Sequence, residues 1–267
     1  MLHKSTVHAG NNRWIHIKFI CFMSLTILCL IGSIFLAISF GAKDIHLQTV
    51  WAAILNYNPK LTQHQIIYEL RLPRVIGAGV VGAAFAVAGA VMAALLHSLS
   101  SGVAIYYDLS QDLAFWYACG VAGVKWEHLK FLVPIILITI IFATMLGRSI
   151  SLISMGDDVA TNLGVKTNRT RILGMIIVVI LAGVSVSAVG SIGFVGLVIP
   201  HIARKLVGVN YRLIIPMSAL LGAMLLVVAD LGARTVNPPK ELAIGIMVAL
   251  VGVPFFLYIA RKVGREL

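Results

Sequence analysis

The sequence predicts an all-α, polytopic membrane protein: a bundle of apolar helices joined by shorter polar segments. Three observations lead there. Of the 267 residues, 60% are hydrophobic and 12% charged, with a mean hydropathy of +0.98, whereas soluble domains carry about 25% charged residues. The apolar residues gather in runs at 19–40, 75–96 with a continuation to 107, 131–147, 172–200, 213–233 and 242–260, near the roughly 20 residues that cross a bilayer as helix. The basic residues lie between the runs, where they set topology. A net charge of +11 would point to nucleic acid only on a soluble domain with a basic face, so nucleic acid is excluded and membrane lipid is the expected surrounding.

The first run follows Lys4, Arg13 and Lys18 and is 22 residues long. A signal core has roughly 7–15 residues and ends at a small-x-small site. No such site follows here, so an uncleaved first span is expected. Cys21, Cys29 and Cys119 form no CxxC pair and read as small packing residues rather than disulfide or metal ligands. The eight histidines show no HExxH or His-x-His spacing; His201, beside Pro200, reads as a helix-end residue, and no metal site is expected. In the mixed stretch 41–74, Trp51, Leu55 and Tyr57 suggest an interfacial helix. The second run opens on "RLPR", residues 71–74, with two arginines at the mouth of a helix.

The run 172–200 is too long for one simple span. Its 29 residues would make about 43 Å of helix at 1.5 Å each, against a hydrocarbon core of roughly 30 Å. It contains Gly183, Gly190, Gly193 and Gly196 and ends at Pro200. The expected structure is a helix, a break near Gly190–Gly193, and a shorter helix returning through the membrane. Irregular backbone at depth survives only inside protein or along a cavity, so Gly190, Gly193, Phe194, Gly196 and Pro200 are a candidate pathway element. A small-residue helix-packing surface is the alternative, and both stay open. No internal repeat or low-complexity tract is visible, and 1–267 is read as a single transmembrane domain.

Loop charge sets the expected orientation. With the N-terminus, 148–171, 201–212 and the C-terminal tail on the cytoplasmic side, that side holds thirteen basic and three acidic residues. The other holds eight basic and seven acidic. The bias favours both termini inside and leaves Arg71 and Arg74 outside.

No catalytic constellation is present. There is no GxxxxGK[ST] P-loop, no GxSxG and no paired intramembrane aspartates, so the chain is not expected to be an enzyme. Asp230 is the only acid inside an apolar run; an intramembrane carboxylate is a candidate functional group, and its place beside Gly232 and Arg234 suggests instead a local pair or an interfacial location. The loop "SMGDDVATNLGVKTNRTR", residues 154–171, reads as a turn at Gly156-Asp157-Asp158 and a short helix from Val159 to Leu163. Gly164 closes that helix. Either it docks on something or it is a membrane-surface turn. The stretch "DLGARTVNPPKELAIG", residues 230–245, sets Arg234 outside and stiffens the last span with Pro238-Pro239.

At these residues the chain resembles the permease subunits of the iron-siderophore and cobalamin branch of ABC importers. The matching stretches are "RLPRVIGAGVVGAAFAVAGAVM", "SMGDDVATNLGV", "GSIGFVGLVIPHIARKLVG" and "ADLGARTVNPPKELAIGIMVALVGVPFFLYIARK". With "QDLAFWYACGVAGVKW" they cover most of residues 71–263. The ferric-siderophore side looks nearer than the cobalamin side. The resemblance implies a type II ABC importer permease-like helical bundle in a bacterial cytoplasmic membrane. Its implied partners are a second permease chain, two cytoplasmic ATPase subunits and an extracytoplasmic substrate-binding protein. It implies no cofactor on this chain, with ATP and magnesium held by the ATPase. It assigns Arg71, Arg74 and Arg234 to docking of the binding protein. It assigns Gly156, Asp157, Asp158, Ala160, Leu163 and Gly164 to the segment that couples to the ATPase.

One departure stands out. After "GAVM" the family continues with an Asn-Pro-containing segment and further spans, whereas here Met92 runs into "AALLHSLSSGVAIYY". About three spans, on the order of 60 residues, are absent near residues 92–94. One helix over 77–107 would be about 46 Å long and would invert everything downstream. A hairpin turning near His97–Gly102 keeps the family topology and is the expectation. Besides a transporting permease, the shortening admits a transport-incompetent paralogue that only pairs with importer partners. A metal-ion importer permease is a further alternative, against which the RLPR and NPPKE stretches argue.

Overall fold

The structure, a computed structural model, describes residues 5–40, 45, 47–59, 61–98, 123–190, 192–236 and 242–263. Among the described residues the regular elements are helices. They are α1 (Ser5–Ser39), α2 (Leu47–Leu55), α3 (Thr62–Gln65), α4 (Leu72–Ser98), α5 (Trp126–Ile153), α6 (Asp157–Asn162), α7 (Thr167–Val189), α8 (Val195–Val207), α9 (Tyr211–Thr235) and α10 (Ile244–Val263). Five are long and apolar enough to cross a membrane, and Ile244–Phe255 adds a shorter apolar stretch. The broken run is observed as expected: α7 stops at Val189 and α8 starts at Val195. The expected interfacial helix is α2, whose Trp51 stacks on Phe35 at 4.9 Å. The turn foreseen near His97–Gly102, the stretch around Cys119 and Pro238-Pro239 lie outside the described residues, save that α4 stays helical to Ser98.

Between α3 and α4 the chain makes a π-helical turn, Ile66–Arg71. Pro73 explains it. A proline inside a helix lacks the N–H for the i−4 carbonyl and its ring crowds that carbonyl. The wider turn relieves the crowding, and the Leu72 N–H reaches back to Ile67 O instead.

The helix α4 is the centre of the bundle: 61% of its apolar window is buried, against 11% for α1. It packs antiparallel on α9, and it also meets α7, α8 and α5. Glycine permits the approach at two crossings. A Cβ on Gly82 would lie 2.2 Å from Gly222 O on α9, and one on Gly89 would lie 2.0 Å from Gly196 O on α8. Small residues let helix backbones touch in a lipid environment, where association rests on van der Waals packing.

Contacts at the helix ends fix which end each one occupies. Trp126, opening α5, donates its indole N–H to Tyr68 O at 2.8 Å. The rings of Tyr57, Tyr68 and Trp126 stack in sequence at 4.9 and 5.6 Å. The far end of α5 meets the start of α9, where Ser151 Oγ accepts from Tyr211 N at 2.8 Å. Leu95, near the end of α4, packs on Gly174 in the early part of α7. Ser98 and Trp126 therefore lie at opposite ends of the bundle, and α5 runs from the Arg71 end to the α6 end. That is the arrangement the hairpin expectation preserves and an inverted chain would not have.

Two outcomes follow. Gly89→Ala should lower the unfolding free energy in detergent by about 1–3 kcal/mol, the cost of overpacking. Gly183→Ala, whose added methyl meets open space, should leave it within about 0.5 kcal/mol. In intact vesicles, single cysteines replacing Glu69 and Glu127 should react with an impermeant maleimide from one side, and one replacing Arg169 from the other.

Candidate functional site

The arginines singled out in the sequence gather at one end of the bundle. Arg74 Nε donates to Asp230 Oδ1 at 2.9 Å, linking the start of α4 to the end of α9. Arg234, one turn beyond Asp230, places Nη2 2.9 Å from Oδ2. That contact is an ion pair without hydrogen-bond geometry. Arg234 also donates to Ala37 O at 3.1 Å. Arg71 donates to Ile38 O and, at 2.9 Å, to Ser39 O. Arginines from the π-helical turn and from α9 thus satisfy the last carbonyls of α1, which have no partner within their own helix. Asp230 is fully buried, and Arg71 and Arg234 are each 7% exposed. Among the described residues, Asp230 is thus the carboxylate on which Arg74 and Arg234 converge. The local pair of Asp230 with Arg234 was legible from the i,i+4 spacing; the pairing with Arg74, 156 residues away, was not.

The segment 156–164 forms a rigid hairpin corner. Gly156 has φ 119°, and α6 begins at Asp157, two residues earlier than the expected start at Val159. The shift has a reason: carboxylates in the first turn face the positive end of the helix dipole, so Asp157 and Asp158 belong inside the helix. At the other end Gly164 N–H bonds Thr161 O at 2.9 Å and Val165 N–H bonds Ala160 O at 2.9 Å. This pair of bonds is the Schellman closure, with Gly164 at φ 79°. Arg171 on α7 donates from Nη2 to both oxygens of the Asp157 carboxylate, at 2.9 and 2.7 Å. Ala160 is fully buried, while Asp158, Val159 and Leu163 are exposed. The corner is anchored underneath and presents two apolar side chains outward.

The break between α7 and α8 lies within the bundle. Gly190 ends α7 at φ 75°. Phe194 opens α8 in the left-handed region at φ 65°, an uncommon and strained place for an aromatic residue. Its ring lies on α10, where a Cβ on Gly252 would come 2.6 Å from Phe194 Cβ. Gly196 packs on Gly89, and Pro200 is buried in α8. Of this set, Gly193 meets nothing within 4 Å of an added Cβ. The small-residue packing surface is thus present at Gly196. His201 Nδ1 donates to Leu197 O, 2.9 Å away within its own helix; it lies in the middle of α8 rather than at the expected helix end, because Pro200 is carried inside that helix. No group of three or more potential metal ligands occurs among the described residues.

One feature was missed. Arg148, Arg204 and Arg212, which the sequence offered only as loop charges, line one cleft of about 480 Å³ at the α6 end. They come from three different helices, and no spacing rule connects them.

A bundle of membrane-length helices, broken once at depth and carrying an anchored, apolar-tipped corner at one end, defines a polytopic permease-type membrane protein. The family model of the FecCD transport family matches residues 28–97 and 89–262, and the chain belongs to that family. It is 39% identical over 320 residues to the iron(3+)-hydroxamate import system permease protein FhuB of Bacillus subtilis (strain 168), covering 91% of this chain and 83% of that protein. It is 32% identical over 311 residues to the iron-uptake system permease protein FeuB of the same organism, covering 88% and 93%. A solved chain described as an inward-facing conformation of a metal-chelate type ABC transporter superposes with a TM-score of 0.74 at 23% identity, covering 90% of this chain and 98% of that one. The chain is therefore a multi-pass permease subunit with that fold.

The comparisons also bear on the shortening. The family model matches in two pieces that overlap at residues 89–97, where the sequence placed the missing spans. Ninety-one per cent of this chain is about 243 residues, against 320 aligned with FhuB. About 77 aligned positions thus have no counterpart here.

The two carboxylates in these sites should respond differently to neutralisation. Asp230→Asn removes the buried charge that Arg74 and Arg234 face and should cost about 3–5 kcal/mol of unfolding free energy. Asp157→Asn removes a pair whose side chains are 43% and 22% exposed and should cost less than about 1 kcal/mol. Denaturant unfolding in a mild detergent reads both.

Proposed function

We propose that this chain is the membrane-spanning subunit of an ATP-dependent importer of ferric siderophores in a bacterial cytoplasmic membrane. A second permease chain would complete the pathway, and two cytoplasmic ATPase subunits would carry ATP and magnesium. An extracytoplasmic binding protein would deliver the substrate. The observation that carries this reading is the anchored corner at 156–164. A six-residue helix closed at its C-terminus and clasped by Arg171 moves as part of α7 rather than as a loose loop. A partner gripping Val159 and Leu163 could then transmit force into α7 and the break at Gly190–Phe194. The iron-hydroxamate and iron-uptake permeases it resembles point to the class of substrate.

Charge supports the orientation. The α6 end carries Arg148, Lys166, Arg169, Arg171, Arg204, Lys205 and Arg212 against Asp157 and Asp158. The opposite end is more balanced, with Arg71, Arg74, Lys125, Lys130 and Arg234 against Glu69, Glu127 and Asp230. Positive charge collects on the cytoplasmic side, which puts α6 and both chain ends inside. Arg71, Arg74 and Arg234 then lie at the outward end, where the resemblance to binding-protein-dependent permeases supports docking of a partner with an acidic surface. Because these arginines also hold α1, docking is better probed by salt dependence than by reversing their charge.

The test is uptake of a ferric siderophore into proteoliposomes containing the chain, its partner permease and the ATPase, with binding protein outside. ATP-dependent uptake is expected. Leu163→Asp and Val159→Asp should each reduce it more than about tenfold, the loss typical of an interface hot spot, with binding-protein docking unchanged. Docking and ATPase association without any uptake by the unaltered chain would overturn the transport reading.

A further inference from the structure

The basic cleft at the α6 end belongs to none of the roles above. It lies where the end of α5, the end of α8 and the start of α9 converge. Arg148, Arg204 and Arg212 line it together with Ser151, Ser154 and Asn210. No carboxylate lines it. Arg148 and Arg212 are exposed, and their side chains make no ion pair or hydrogen bond among the described residues. Arg204 is held in place by the Tyr211 hydroxyl, which accepts from its Nη2, and its guanidinium lies 5.6 Å from the Tyr211 ring centre. Three guanidiniums converging without a counter-charge repel one another, so an anion in the cleft relieves a standing electrostatic cost.

Two features say where that anion comes from. Ile138, Phe142 and Met145 are exposed and follow one face of α5 at helical spacing, and Arg148 is the next position on that face. A chain of apolar contacts therefore leads along α5 to the cleft. The depth also matches. Trp126 ends the aromatic stack at the opposite end of α5 and marks one membrane interface. The 22 residues from there to Arg148 span about 33 Å, close to the roughly 30 Å of hydrocarbon. Arg148 thus sits at headgroup level in the other leaflet, and basic pockets between helix ends are sites for anionic headgroups.

We propose that this cleft binds the phosphate of an anionic phospholipid, with the acyl chains lying along the Ile138–Phe142–Met145 face of α5. An acidic segment of a protein partner is the rival occupant. The apolar stripe favours lipid, because it leads into the cleft from the bilayer and not from α6.

The test uses the full chain in a zwitterionic detergent. It is titrated separately with dihexanoyl phosphatidylglycerol, dihexanoyl phosphatidylcholine and inorganic phosphate, with binding followed by native mass spectrometry. Phosphatidylglycerol should bind more tightly than either alternative. Arg148→Gln and Arg212→Gln should each weaken it about fivefold and together about 25-fold, leaving phosphatidylcholine binding unchanged. Both side chains are exposed, so both variants should fold. Equal affinity for phosphatidylcholine, or unchanged phosphatidylglycerol affinity in the double variant, would overturn the proposal. Inorganic phosphate binding as tightly as phosphatidylglycerol would make this a free-anion site and overturn the lipid assignment. Loss of ATPase-subunit binding in the double variant with its phosphatidylglycerol affinity retained would assign the cleft to the protein partner instead.

Discussion

Everything in this bundle is arranged around the close backbone approach of α4 to α9 and α8. In lipid, burying an apolar side chain against another helix gains little over leaving it against acyl chains, so helices adhere by fit. Gly82 against Gly222 and Gly89 against Gly196 supply that fit: Gly82, Gly222 and Gly89 have no room for a Cβ, and one on Gly196 would sit a tight 3.1 Å from Phe85 O. One end of the spine is then closed electrostatically. Arg74 and Arg234 converge on Asp230, and Arg71 and Arg234 bind the terminal carbonyls of α1. A cluster that a sequence reading treats as a landing site is, in the folded chain, first the clasp joining α1, α4 and α9.

The parts of this architecture that were legible in the sequence are those encoded locally. Span lengths follow from apolar runs, and the break follows from a run too long for the membrane with glycines in its middle. The corner at 156–164 follows from a glycine, two acids and a closing glycine. What was not legible depends on residues distant in sequence. Nothing in "RLPR" says that Arg74 meets Asp230, and nothing in three scattered loop arginines says that they share a cleft. The start of α6 was misplaced by two residues because Asp157 and Asp158 suit a turn and a helix N-terminus equally. The π-helical turn was hidden because Pro73 was read as marking a helix mouth, while its effect falls on the preceding turn.

The shortening leaves the spine intact. The two pieces of the family match meet at residues 89–97, in the second half of α4, and Gly89 still packs on Gly196 there. The break, the corner and the arginine clasp all lie outside that junction. The helices α5, α7, α8 and α9 all contact α4, so the break and the corner are present in a chain about 77 aligned positions shorter than its FhuB relative.

The α4–α9 spine is clasped at one end by Arg74 on Asp230. A double-mutant cycle on Arg74→Gln and Asp230→Asn, measured as unfolding free energy in one detergent, tests it most directly. Direct pairing across α4 and α9 predicts that the double variant is less destabilised than the sum of the single variants, with a coupling of about 1–3 kcal/mol. Additivity within about 0.5 kcal/mol would contradict the clasp between α4 and α9.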